Sequence, residues 1–145
     1  MATAAIAAAG AAAAVAPGVY AGRSPRAVRH MDIELQVLPG DRRANWRVDV
    51  FGPCTEHLTM GRTVGTDAGN TPQDPRLRLS GGRFTLNWHA YASLHPLWYS
   101  YTLTGHAVAG GFTGTFHYRE SDHHGYLCDS HLLHWSARRT SGSFP

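Results

Sequence analysis

Two cysteines, Cys54 and Cys128, stand in a chain whose apolar and polar residues alternate through most of its length. That combination most narrows what the chain can fold into. In a reducing cytosol two cysteines are usually separate buried thiols, whereas in an exported domain of this size they usually pair. Their bond would close a loop of about 75 residues and contribute roughly 4 kcal/mol by chain-entropy arguments. A chain of 145 residues allows one domain with a small core, so such a tie is a large share of its stability. A Cys54–Cys128 disulfide is expected, stapling the end of the chain to the first hairpin.

The alternation reads as strands from Asp32 onward. Asp32-Ile33-Glu34-Leu35-Gln36-Val37 turns at Pro39-Gly40-Asp41, and Asn45 to Val50 alternates again into Gly52-Pro53-Cys54, which makes a first hairpin. Residues 55–75 are polar and punctuated by glycine and proline, with a weak strand from Leu58 to Val64; a loop of that length is functional or mobile. Arg76-Leu77-Arg78-Leu79 resumes the pattern, and the Gly81-Gly82 turn leads into Phe84, Leu86, Trp88 and Ala90 on one face. After a break at Leu94-His95-Pro96-Leu97, Tyr99, Tyr101 and Leu103 share a face in a strand ending near Gly105. Gly110-Gly111 opens a strand carrying Phe112, Phe116 and Tyr118, Asp122-His123-His124-Gly125 turns it, and Leu133, Trp135 and Ala137 line the last face. Cys128 falls on the opposite parity from Trp135, so a bulge is expected near Ser130 to Leu132. Trp46 and Trp135 are read as core.

Composition agrees. All thirteen basic residues are arginine and only three residues are glutamate, so the Lys/Glu pairs that clothe exposed helices are missing. The expected fold is all-β, an antiparallel seven- or eight-stranded sandwich or partly open barrel with no helix required.

The N-terminus reads as a leader. Residues 2–16 are alanine-rich, too short and too weakly apolar to span a bilayer, and similar to the apolar segment of a secretory signal. Val19-Tyr20-Ala21 offers small residues at both cleavage positions; Ala14-Val15-Ala16 is less suited because Pro17 follows. No Lys or Arg precedes the run, which leaves open a start upstream or at Met31. The expected organisation is a leader over 1–21, a linker over 22–30, a β-domain over 31–140 and a tail over 141–145. The cysteines favour an exported or periplasmic chain with no transmembrane segment once the leader is gone.

The segment from Thr104-Gly105 through Gly111-Phe112-Thr113-Gly114-Thr115-Phe116 to Cys128-Asp129-Ser130 and Trp135-Ser136-Ala137-Arg138-Arg139 resembles the C-terminal half of small secreted bacterial proteins of unknown function. Their pattern is Gly-x-x-x-Gly-x-Phe, then Cys-x-Ser-Gly, then Trp-x-Ala-Arg. The earlier cysteine follows a first hairpin, as Cys54 does, and a strand like Gly82-Arg83-Phe84 lies between. The present chain departs at His131, where the pattern carries glycine. The resemblance implies an exported all-β domain and no catalytic residue.

Several function classes recede on the residues alone. The arginines are scattered in small pairs and form no basic stripe with interleaved aromatics, so no nucleic-acid partner is expected. There is no Gly-x-Ser-x-Gly elbow, both cysteines are taken by the staple, and Glu34, Glu56 and Glu120 are scattered, so catalysis is not expected. The favoured role is a non-catalytic extracytoplasmic module for an unidentified ligand or protein. With Phe84, Leu86 and Trp88 inward, Asn87, His89 and Tyr91 point out near Trp98, and such an aromatic edge with amide and imidazole donors can stack a sugar ring or grip a protein. The simpler reading is that Tyr91 and Trp98 merely close the sandwich edge. The alternative role is metal binding or metal-dependent catalysis. Among ten histidines, His117, His123, His131 and His134 are the candidate ligands for Zn2+ or Cu2+, although no HxH or HExxH pattern is present; no other cofactor is expected.

Overall fold

The computed structural model describes residues 15–40, 42–66, 74–92 and 97–145. Residues 1–14, 41, 67–73 and 93–96 lie outside them, and with them the alanine-rich run, part of the expected 55–75 loop, Asp41 of the first expected turn and most of the expected Leu94-His95-Pro96-Leu97 break. Ten strands follow in chain order: β1 (Gly18–Arg23), β2 (His30–Val37), β3 (Arg43–Pro53), β4 (Thr59–Gly65), β5 (Leu77–Arg78), β6 (Arg83–Ala92), β7 (Leu97–Val108), β8 (Gly111–Ser121), β9 (Leu127–Asp129) and β10 (Leu133–Thr140). Among the described residues the helical content is one 3₁₀ turn, Thr55–His57.

Eight strands form one antiparallel sheet in the order β4-β3-β2-β1-β10-β8-β7-β6, curled into a half-barrel. Alternation sets its two faces. Met31, Ile33, Leu35 and Val37 of β2, and Ala44, Trp46, Val48 and Val50 of β3, are buried, while the residues between them are not. Curling brings the two halves of the chain together in one core: Trp46 meets Tyr101 at 5.2 Å between ring centroids, and Phe84 packs on Phe112 and Trp135. Gly105 serves that packing, because a Cβ there would stand 2.3 Å from the Phe84 ring. Each large side chain so buried contributes about 1.5–3 kcal/mol relative to exposure.

The strand order corrects the expected domain boundary. Gly18 to Arg23, assigned above to the leader's end and the linker, form β1, which pairs with β2 on one side and β10 on the other. The sheet therefore takes in residues upstream of the boundary expected at Met31. Gly-Val-Tyr-Ala-Gly fits a cleavage site by residue size as well as it fits a strand, and one of its partners, β10, lies at the far end of the sequence. Only long-range pairing separates the two readings.

The expected bulge is present. Asp129 pairs with Arg119 and Leu133 with Phe116, so the three residues between β9 and β10 oppose two of β8. The Ser130 amide donates to the Tyr118 carbonyl, 2.9 Å, and its hydroxyl accepts from the Tyr118 amide, 2.8 Å. The extra residue turns Cys128 and Trp135 to the same buried face. Cys54 and Cys128 are joined in a disulfide that links the end of β3 to β9.

The sheet's two edges, β4 and β6, do not pair. At one end β5 links β3 to β6: it pairs with the start of β3 and leads through the Ser80–Arg83 turn into β6. At the other end the edges stand apart and leave a cleft of about 500 Å3.

Candidate functional site

The outer face of β6 and β7 carries the aromatic edge anticipated from the sequence. Asn87, His89 and Tyr91 are exposed on β6, and Tyr91 pairs in register with Trp98 of β7. Their rings lie 4.8 Å apart and tilted by 43°, with Tyr91 44% and Trp98 48% exposed. His123, in the turn after β8, places its ring edge-on 6.2 Å from Trp98. Asn87 Oδ1 accepts from the Thr102 hydroxyl at 2.8 Å, which fixes the amide plane. The edge belongs to an otherwise polar surface: His89 pairs with Ser100, and Ser100 with Arg119.

The late histidines are not brought together as one ligand set. His117 Nε2 lies 2.8 Å from Asp129 Oδ1, and His131 reaches the same oxygen through its backbone amide, 2.7 Å, and not through its ring. His123 sits with Trp98, and His134 pairs in register with Thr115 on the neighbouring strand. Among the described residues no three His, Cys, Asp or Glu side chains are grouped to hold a metal ion. The Asp129 carboxyl is nevertheless held below its ordinary range. Partial burial pushes it up, but the His131 amide and the His117 ring outweigh that.

His131 occupies the left-handed region, φ 53°, at the position where the resembling pattern carries glycine. A left-handed conformation costs a non-glycine residue about 1–2 kcal/mol. The side chain is exposed, so His131→Gly is expected to stabilise the fold by about 0.5–1 kcal/mol after the extra freedom of an unfolded glycine is subtracted. The urea midpoint should rise with an unchanged slope. A fall would show that the imidazole itself supports the bulge.

A third feature, missed in the sequence, lies at the open end of the half-barrel. Glu120 of β8 is 2% exposed and receives four hydrogen bonds. Arg62 of β4 donates from Nε to Oε2 at 2.8 Å and from Nη2 to Oε1 at 2.9 Å. The Tyr118 hydroxyl donates to Oε2 at 2.7 Å and the Tyr126 hydroxyl to Oε1 at 2.8 Å. The Tyr126 oxygen also lies 3.0 Å from Cys128 Sγ and 3.9 Å from Cys54 Sγ, so the cluster abuts the disulfide. Burial, with the Glu120 charge and hydrogen bond, pushes the Tyr118 phenol well above its ordinary range; burial and Glu120 also raise Tyr126. Burial acts to lower the Arg62 guanidinium, but its bond to Glu120 and the carboxylate charge hold it above its ordinary value.

Arg62, Thr63, Tyr118 and Glu120 form the polar side of the cleft, whose other lining is Val64, Ala92, Leu97 and Tyr99. A carboxylate offers about four lone-pair sites, and all four are taken. Glu120 is thus not poised as a general base or metal ligand; it ties β4 to β8 across the seam where the barrel fails to close. One sequence signal points to it: Phe116, Tyr118 and Glu120 share a parity, which places an acid on an apolar face.

Elsewhere the arginines are paired locally rather than aligned. Arg26 meets Asp32 at 3.1 Å and Arg47 meets Asp49 at 3.6 Å, both on exposed surface where such pairs contribute little. Among the described residues no helix is long and apolar enough to cross a membrane. Comparisons with protein families, with characterised proteins and with solved structures find no match to this chain.

Proposed function

We propose that the chain is a non-catalytic, exported binding module whose ligand face is the outer surface of β6 and β7 around Tyr91 and Trp98. The observation that carries this reading is the pair itself: two large aromatics, cross-strand neighbours, each more than two-fifths exposed on a polar face. Aromatic side chains with an apolar body and a polar tip are favoured at binding surfaces. The apolar face of a sugar ring suits them, with imidazole and amide groups at His89, His123 and Asn87 available to its hydroxyls. The disulfide supports the extracytoplasmic half of the proposal, since such bonds persist in oxidising compartments.

Tryptophan fluorescence tests the reading directly. Trp46 and Trp135 are buried and Trp88 is half-buried, which leaves Trp98 as the exposed reporter. Titration with a panel of soluble oligosaccharides and polysaccharides is expected to give a saturable blue shift. Calorimetric titration, which does not need the reporter, should show binding lost in Trp98→Ala and weakened tenfold or more in Tyr91→Ala, a change of about 1.4 kcal/mol, with both variants melting like the parent. Binding that survives Trp98→Ala, or no binding across the panel at millimolar sugar, would overturn it.

A further inference from the structure

We propose that the ligand of this face is an acidic polysaccharide, whose anionic groups meet imidazole and guanidinium side chains spread over the outer surface of β6, β7, β8 and β10; this rests on the reading of that face as the ligand surface. Strand register sets the array. His89 of β6 stands in one row with Arg119 of β8, through Ser100 between them. His117 of β8 lies in the next row, through Thr102, with Asn87. His134 of β10 lies in the row after, beside Thr115. His106 of β7 pairs with Arg83 of β6 further along. Successive rows are about 7 Å apart along the strands, and neighbouring strands about 4.7–4.9 Å apart. One extended chain lying over Tyr91 and Trp98 therefore meets a cationic group, or one that becomes cationic, at nearly every row it crosses.

The distribution of acids carries the argument. No outward position of β6, β7, β8 or β10 holds an aspartate or a glutamate. The acids at the margin are already engaged. Asp129 of β9 meets the His117 ring at 2.8 Å and Arg119 at 3.8 Å, and Asp122 of the turn after β8 accepts the His124 and Tyr126 amides at 2.7 and 3.0 Å. The outer surface of β2 and β3 is unlike this, for Asp32, Glu34 and Asp49 stand there among Arg26 and Arg47. Solvated surfaces ordinarily intersperse the two signs. A surface cleared of acids on the half that also exposes the aromatic pair is complementary to a polyanion.

Most of the charge on this surface is conditional, because histidine gains it only as pH falls from about 8 to 5. The turn beside Trp98 adds His123 and His124 to the array, and the bulge adds His131, all exposed. The His124 amide holds the Asp122 carboxyl below the usual carboxylate range; Asp129 is held there despite partial burial, by the His131 amide and the His117 ring. Both acids thus stay ionised through that window, and acidification adds only positive charge. Affinity for a polyanion rises as pH falls.

The test is calorimetric titration of the oxidised full chain, at low salt and at about pH 7.5 and about pH 5. The probes are polygalacturonate, dextran sulfate and a neutral dextran of matched length. Affinity for at least one acidic polymer is expected to rise about tenfold or more in acid, as several exposed charge contacts are added, and the one that responds identifies the anionic group. The neutral dextran should show no such rise. His89→Gln combined with His134→Gln, at two exposed positions, should lose most of the rise and melt like the parent. His57→Gln, in the 3₁₀ turn outside this surface, should keep it. A rise undiminished in the double variant, or equally large on duplex DNA or phosphatidylglycerol vesicles, would overturn the inference. Neutral dextran binding that Trp98→Ala abolishes, with no acid-dependent gain on either acidic polymer, overturns it too and leaves the aromatic-edge reading standing. No binding to any of the three polymers at either pH overturns both.

Discussion

Replacing Arg62 by methionine is expected to cost about 3–5 kcal/mol of stability, the usual penalty for leaving a buried charge without its partner. Glu120 is the reason: it is 2% exposed, while Arg62 keeps 40% of its side chain accessible. Glu120→Gln should therefore cost less, about 1–3 kcal/mol, because the guanidinium it releases can return to water. Arg62→Met combined with Glu120→Met should recover part of the loss, since two apolar groups bury without a stranded charge. Urea midpoints of the three variants at neutral pH measure these losses. A loss below about 1 kcal/mol at neutral pH would mean that β4 is held by its pairing with β3 alone.

Removing the staple with Cys54→Ala and Cys128→Ala is expected to cost about 4 kcal/mol, from a loop spanning 74 positions. Domains of this size are stable by about 5–15 kcal/mol, so the double variant sits near the limit of folding at physiological temperature. The structure says where it fails first. β9 has three residues and pairs with the end of β8, and its ties to the first half are few: the Leu127 amide to the Thr55 hydroxyl at 3.1 Å, and Arg29 Nε to the Asp129 carbonyl at 3.1 Å. Amide hydrogen exchange at residues 127–129 should accelerate before the core of β2 and β3 is affected. Equilibrium denaturation gives the global figure, and alkylation before and after reduction confirms that the parent carries no free thiol. Tyr126 touches both the disulfide and Glu120, so the Arg62 and cysteine variants should be non-additive. Strict additivity would show that the seam and the staple act independently.

Much of this architecture was legible in the residues because period-two alternation leaves a direct mark. The first hairpin, β6 with its inward Phe84, the outward Asn87, His89 and Tyr91, and the bulge before the last strand all follow from parity and turn chemistry. The disulfide was reachable from cysteine count and spacing. The histidines were less so. Six of the ten crowd the last third of the chain, but crowding in sequence becomes a metal site only if rings converge, and here bulge, turn and strand send them to different neighbours.

By itself the sequence determined which residues alternate, where turns interrupt them and which two thiols can pair, since those properties are local or follow from counting. Tertiary structure alone decided that Gly18–Arg23 is the strand joining both halves of the sheet, because that depends on β10 at the opposite end of the chain. It alone also turned Glu120, a solitary acid on an apolar face, into a saturated tie to Arg62. Its four hydrogen-bond donors come from β4, β8 and the turn before β9, and the desolvation cost of a buried carboxylate is met only where all of them converge.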